Sequence, residues 1–208
     1  MLRAVRTLAA AVAVIVLLTG CAPEPESPAV TFAVAGDSLT AWDNDSFPEP
    51  DGEFADITWL HWAISPALQL AGGYARQGAF ASQIADEIPI VDADVLVVMA
   101  GSNDIGVTEP AQILAAIEAI AAATGIESVV LCAIPPQTGF TSEAKDLNYR
   151  LVELAAERGW VFVDPWGGAR DADGEWIDEM TFDGIHPTAP AAKEVGAHIS
   201  AAVLKAAG

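Results

Sequence analysis

Two kinds of apolar pattern alternate along this chain. In short runs nearly every position is apolar, as in Phe32–Ala35, Asp94–Ala100 and Ser128–Ile134, and between them lie longer stretches of helical character. The uninterrupted runs read as parallel strands covered on both faces, since a strand with one wet face would alternate. Briefer strands at Gly73–Arg76 and Val161–Asp164 bring the number to five. Helices are expected over Ile57–Ala71, Ala81–Glu87, Pro110–Thr124, Ser142–Arg158 and Ala189–Ala206. Glu109-Pro110 suits a first helical turn, where a missing N–H is harmless. Such alternation implies β-α-β units with right-handed crossovers, hence an α/β fold: a three-layer α/β/α sandwich. With a flavodoxin-like parallel five-stranded sheet in order 2-1-3-4-5, the first and third strands are neighbours, and ligands are expected at the switch point between their carboxyl ends.

Chemistry-bearing residues follow those strands. The first run stops at Gly36-Asp37-Ser38, which places a serine hydroxyl in a tight strand-to-helix turn. Gly78 follows the second strand, and Gly101-Ser102-Asn103-Asp104 follows the third, so the topology brings three distant loops to one crevice. A serine hydroxyl is a poor nucleophile without a base to take its proton. His186, in Asp183-Gly184-Ile185-His186-Pro187, is the candidate base. Asp183 stands three residues before it, close enough in a turn to accept the other ring N–H. Pro187 restricts the histidine backbone toward extended geometry. Taken singly, each piece also has a plainer role: a helix cap at Gly-Asp-Ser or Asn103, a turn glycine at Gly78, a surface turn at Asp-x-x-His.

In their order, these four motifs resemble the SGNH hydrolase family, the GDSL esterases and lipases, over the chain from about residue 30 to its end. The second motif departs from the pattern, with Arg76 where family members often carry an asparagine two residues before the glycine. The resemblance implies a carboxylic ester hydrolase that needs no cofactor and no metal. Ser38 would be the nucleophile, His186 the base and Asp183 its partner. The backbone N–H groups of Ser38 and Gly78 and the side chain of Asn103 would form the oxyanion hole, while Asp104 braces its loop. The expected function is hydrolysis of short-chain acyl esters of carbohydrates or small alcohols. A lysophospholipase or thioesterase, an O-acyltransferase, and a non-catalytic binding lipoprotein are the alternatives.

Composition adds the setting. With 208 residues and 52% hydrophobic content, the chain suits one compact domain, assigned to residues 30–208. Arg3 and Arg6, the apolar stretch Leu8–Leu18 and a proline-rich segment after Cys21 read as a secretory signal over residues 1–20 and a tether over 21–29. Leu18-Thr19-Gly20-Cys21 resembles the lipobox of bacterial lipoproteins, which would make Cys21 a lipidation site and the protein exported, held at the cell envelope or secreted. The apolar stretch falls short of the ~20 residues that cross a bilayer. The net charge of −20 argues against nucleic acid as a partner and against electrostatic docking to anionic lipid. Membrane contact is therefore expected only through a lipid anchor, the substrate is a small ester, and a monomer is favoured. Cys132, within an apolar run, is expected to be an inert buried thiol.

The stretch Ala41–Gly72 opens with Asp43-Asn44-Asp45, Pro48 and Pro50 and is expected to be a functional loop before the first long helix. It carries Trp42, Trp59 and Trp62, which either line a substrate cleft or pack the helix onto the sheet. His61 and His198 are expected to be structural or solvated.

Overall fold

The computed structural model describes residues 29–42, 47 and 53–208. The signal segment, Cys21, most of the tether and the early loop residues Asp43-Asn44-Asp45, Pro48 and Pro50 lie outside the described residues. The elements are β1 (Val30–Gly36), α1 (Ser38–Ala41), α2 (Trp59–Ala63), β2 (Leu68–Ala75), α3 (Ala81–Glu87), β3 (Val95–Met99), α4 (Pro110–Thr124), β4 (Val129–Cys132), α5 (Thr141–Arg158), β5 (Val161–Val163) and α6 (Ala189–Ala206). All five strands are parallel, in the order β2-β1-β3-β4-β5. The expected α/β/α sandwich is the one that forms.

Alternate side chains of each strand feed two cores, as a pleat of period two requires. Ala33, Ala35, Leu96, Val98 and Leu131 point to one face, where Ile84, Ile113, Ile117, Ile120, Leu147 and Leu151 of α3, α4 and α5 cover them. Phe32, Val34, Val95, Val97 and Val130 point to the other, under Trp59 and Leu60 of α2 and Val195, Ile199 and Val203 of α6. Both faces are therefore dry, which is why the strand runs are apolar throughout. Among the described residues, no helix is long and apolar enough to cross a membrane.

One expected element differs. The helix expected over Ile57–Ala71 is confined to Trp59–Ala63, and Leu68–Ala71 belong to β2. Pro66 pushes the preceding residue toward extended geometry, and Ser65 pairs antiparallel with Leu68 in a narrow turn. Beyond it, Leu68 and Leu70 are buried on either side of exposed Gln69, the alternation of a half-covered edge strand. The register on β1 shifts at Ala71, where Phe32 faces Leu70 but Ala33 faces Gly72; this bulge disguises the strand in sequence.

Candidate active site

Three strands finish level with one another, which creates the site. Gly36 lies beside Ala75 of β2 and Met99 of β3, so the residues that follow each strand share one edge of the sheet. A Cβ on Gly36 would come within 2.4 Å of Thr40 Oγ1. Glycine there lets α1 fold tightly back onto its strand. Asp37 caps α1, its Oδ1 accepting from the Leu39 N–H at 3.0 Å and its carbonyl from Thr40 and Ala41. Ser38 opens the helix and is 7% exposed.

Facing it is His186, from the long connection between β5 and α6. Nε2 lies 2.9 Å from Ser38 Oγ, and Nδ1 lies 2.6 Å from Asp183 Oδ2. With the Nδ1 proton on the carboxylate side, Nε2 turns its lone pair to the serine hydroxyl. Asp183 Oδ1 also accepts from the N–H groups of Ile185 at 2.9 Å and His186 at 2.7 Å. Partial burial would raise the Asp183 pKa, but the hydrogen bonds from the His186 backbone and ring and from Ile185, with the histidine charge, hold this carboxyl below the usual range.

The histidine loop has no helix or strand of its own. Thr181 Oγ1 donates to the His186 carbonyl at 2.7 Å and accepts from the Gly184 N–H at 2.9 Å. The Gly184 carbonyl accepts from Trp176 Nε1 at 3.0 Å and from the Thr138 N–H at 2.9 Å. Trp176 stands edge-on to Trp166 at 5.8 Å, and Trp166 Nε1 donates to the Ala133 carbonyl beyond β4 at 2.8 Å. A chain of indoles thus fastens the histidine to the sheet.

On the opposite side, Asn103 Nδ2 donates to Asp37 Oδ2 at 3.3 Å and to the Ala79 carbonyl at 3.0 Å. It bridges the residue before Ser38 and the residue after Gly78, so the three expected loops do meet. Gly78 occupies the third position of the turn Arg76–Ala79 with φ +70°, and a Cβ there would meet nothing within 4 Å. Backbone angle, not crowding, calls for glycine here. Asp104 braces the loop as expected, accepting from the Ala81 N–H at 2.9 Å.

Asp37 is the carboxylate that sequence reasoning passed over as a simple cap. It is fully buried. Desolvation raises its pKa to about 7 against the Leu39 hydrogen bond, helped by the negative charge of Asp104. Among the described residues, no three His, Cys, Asp or Glu side chains gather as metal ligands. Cys132 is 0% exposed, and burial pushes its thiol up, out of the reactive range.

The sequence model of the GDSL-like lipase/acylhydrolase family matches residues 34–193, the span that holds every one of these groups except the N-terminal end of β1. The chain belongs to that family. It is therefore a GDSL-type hydrolase of the esterase class. Solved structures share the fold. A GDSL-like lipase from Bacteroides thetaiotaomicron aligns with a TM-score of 0.66 at 19% identity over 85% of this chain and 88% of that one. A member of the lipolytic G-D-S-L family from Veillonella parvula aligns at 0.63 and 17% identity, over 85% and 97%. An acetyl esterase mutant with an acetate ion aligns at 0.58 and 16% identity, over 85% and 97%. No curated protein matches the sequence.

Within this GDSL-type site, the three tryptophans part company. Trp42 reaches it, its ring edge-on to the imidazole with centroids 5.1 Å apart. Trp59 does not: it is 1% exposed, packs on Phe32 at 6.1 Å and donates to Thr40 Oγ1 at 3.1 Å. Trp62 donates to the Asp56 carbonyl at 2.7 Å, lies under Lys193 Nζ at 5.3 Å and backs onto Gly196 of α6. Of the two expected roles, packing therefore holds for Trp59 and Trp62 in place of cleft lining, because α2 turns Trp59 onto the sheet and sets Trp62 against α6. His61 lies against Trp62 and the Phe54 carbonyl, and His198 against the Pro165 carbonyl. Phe182, beside the imidazole at 5.9 Å, was missed; a lone aromatic in a loop carries no periodic signal.

Proposed function

We propose that this protein is an exported serine esterase that cleaves short-chain acyl esters of carbohydrates or small alcohols through an acyl-enzyme. The observation that carries the proposal is the relay Ser38 Oγ–His186 Nε2–His186 Nδ1–Asp183, at 2.9 and 2.6 Å. In the first half-reaction Ser38 gives its proton to Nε2 as Oγ bonds to the acyl carbon, and Asp183 steadies the imidazolium. The negative charge on the carbonyl oxygen is received by the backbone N–H groups of Ser38 and Gly78 and by Asn103 Nδ2, which exchanges its longer 3.3 Å contact to Asp37 for the oxyanion. When the tetrahedral adduct collapses, the C–O bond to the alcohol breaks and Nε2 returns the proton to the departing oxygen. Water then repeats the sequence on the acyl-serine. Acetyl to butyryl groups fit the reading best, in keeping with the acetyl esterase among the structural neighbours.

A lysophospholipase or thioesterase reading draws on a cavity of about 430 Å³ between α4 and α5 that borders the Asn103 loop and is lined in part by Ile105, Val107, Pro110, Ile113 and Leu147. Two measurements decide. Fluorophosphonate should label wild type and fail on Ser38→Ala, and an acyl series from acetyl to palmitoyl should peak at the short end. Rates climbing to palmitoyl would transfer the reading to lipid substrates. The lipid anchor at Cys21 belongs to the same proposal, and a mature N-terminus other than acylated Cys21 in mass spectrometry would remove it.

A further inference from the structure

Two aromatic side chains close around the base, one of them from a residue that departs from ordinary backbone geometry. Trp42 ends α1 with φ +54°, a conformation that bulky residues rarely adopt; such outliers gather at functional sites. Its N–H is held by the Ser38 carbonyl at 2.8 Å, so the strained residue is locked to the nucleophile itself. Its indole meets the imidazole at 87° and Phe182 at 79°, with centroids 5.1 and 5.2 Å apart. Phe182 and His186 lie within 15° of parallel at 5.9 Å. Phe182 is nonetheless 51% exposed, and it shares the histidine loop, its N–H directed to the His186 carbonyl at 3.4 Å.

The chemistry gives this corner a side. The two halves of an ester part at the serine-bound carbon: the carbonyl oxygen goes to the oxyanion donors, and the alcohol oxygen goes to the group that reprotonates it. His186 Nε2 is that group, so the alcohol half must pass alongside the imidazole. Asn103 is held elsewhere, by Asp37 and by the Ala79 carbonyl next to Gly78. We infer that Trp42 and Phe182 form a platform for the alcohol half of the substrate, one that selects alcohols presenting a flat ring face, a pyranose or an aryl group. Such faces stack on aromatic surfaces, whereas a short alkyl alcohol has too little area to use them. The inference rests on the serine esterase reading and adds to it the side of the scissile bond that is read and a second residue, Phe182, that reads it.

The experiment compares acetates that differ only in their alcohol: an acetylated methyl glucopyranoside, p-nitrophenyl acetate and ethyl acetate, on wild type, Phe182→Ala, Phe182→Tyr and Trp42→Phe. Phe182 is half in solvent, so its truncation leaves the core untouched. Phe182→Ala should lower the preference for ring acetates over ethyl acetate about three- to tenfold, chiefly through KM, the range expected for one lost aromatic contact. Phe182→Tyr should restore the preference, and Trp42→Phe should retain most of it. The ratio of acetyl to butyryl rates on one alcohol should stay at the wild-type value in every variant. Equal losses on all three acetates would overturn the inference and leave the rings as supports for His186. A changed acetyl-to-butyryl ratio would also overturn it, placing the platform on the acyl side. Should Ser38 resist fluorophosphonate and wild type hydrolyse none of the acetates, the esterase reading itself falls; a labelled Ser38 without ring preference defeats only the platform.

Discussion

Ser38 and His186 stand 2.9 Å apart but arrive from regions built in unlike ways. Residues 36–41 are all buried, continue directly from a central strand paired on both sides, and are held by backbone hydrogen bonds and one carboxylate cap. The histidine loop is part-exposed, has no helix or strand around His186, and is held largely by side chains, Thr181, Trp176 and Asp183 itself, with backbone bonds from Thr138 to the Gly184 carbonyl and from Phe182 to the His186 carbonyl. The nucleophile is thus positioned by the sheet, and its geometry is as rigid as the core. The base is positioned by a few polar contacts, of which those of Thr181 and Asp183 are removable without opening the core. Damage to the first region should therefore cost stability and activity together, while damage to the second should cost activity first.

The largest expected effect ignores the difference, since both ends are needed for one proton transfer. Ser38→Ala and His186→Ala should each reduce kcat by about 10⁶-fold, with little further loss in the double variant, because residues acting as a unit are not additive. Multiplicative losses would show that the two do not act on the same step. Next comes Asn103→Ala, for which loss of one oxyanion donor should lower kcat by about 10²–10³ with KM little changed. A loss confined to KM would make Asn103 a substrate contact.

The contrast itself is sharpened by a pair. Gly36→Ala drives a methyl group to 2.4 Å from Thr40 Oγ1 and should destabilise the fold by about 1–3 kcal/mol, as overpacking does. Thr181→Val removes the hydroxyl that bonds the His186 carbonyl and should slow kcat about three- to tenfold with a smaller shift in denaturation midpoint, the scale of one hydrogen bond. If chemical denaturation ranks Thr181→Val as the less stable of the two, the proposed division of labour is wrong.

The last effect leaves turnover aside and lies in the pH dependence of stability. The Asp37 pKa rises from its ordinary 3.8 to about 7 in the folded protein. Between those values the native state keeps a proton that the unfolded chain has released, so this group favours folding below pH about 4 and loses that contribution as pH rises to about 7. Asp183, held below its ordinary value, works in the opposite direction: its contribution is present above pH about 4 and fades as pH falls through its folded value. Asp37→Asn should therefore flatten the decline in unfolding free energy from pH about 4 to 7. An unchanged slope would assign that window to other groups.

Much of this was open to a reader of the sequence. Asp94–Ala100 and Ser128–Ile134 announced covered strands because nothing polar interrupts them, and helices α3, α4 and α6 were legible to the residue. The βαβ grammar gave parallel strands, and taking the flavodoxin-like order for them gave the meeting of Ser38, Gly78 and Asn103, an order the sheet has. The stretch Ile57–Ala71 misled, since Leu68 and Leu70 fit either period and only pairing with β1 across a bulge decides between helix and strand.

What the sequence determined by itself is therefore whatever short-range pattern and connection rules dictate: which runs are strands, that they lie parallel, and which residues end them. It named the Ser38, His186 and Asp183 set as well, through four motifs whose order resembles the SGNH family. Tertiary structure alone decided the burial of the Asp37 carboxylate beneath Asn103, the fate of each tryptophan, and the arrival of Phe182 beside the imidazole. Each of these depends on contacts between residues far apart in the chain, and identical side chains take opposite roles there: Trp42 turns to the imidazole while Trp59 disappears into the core.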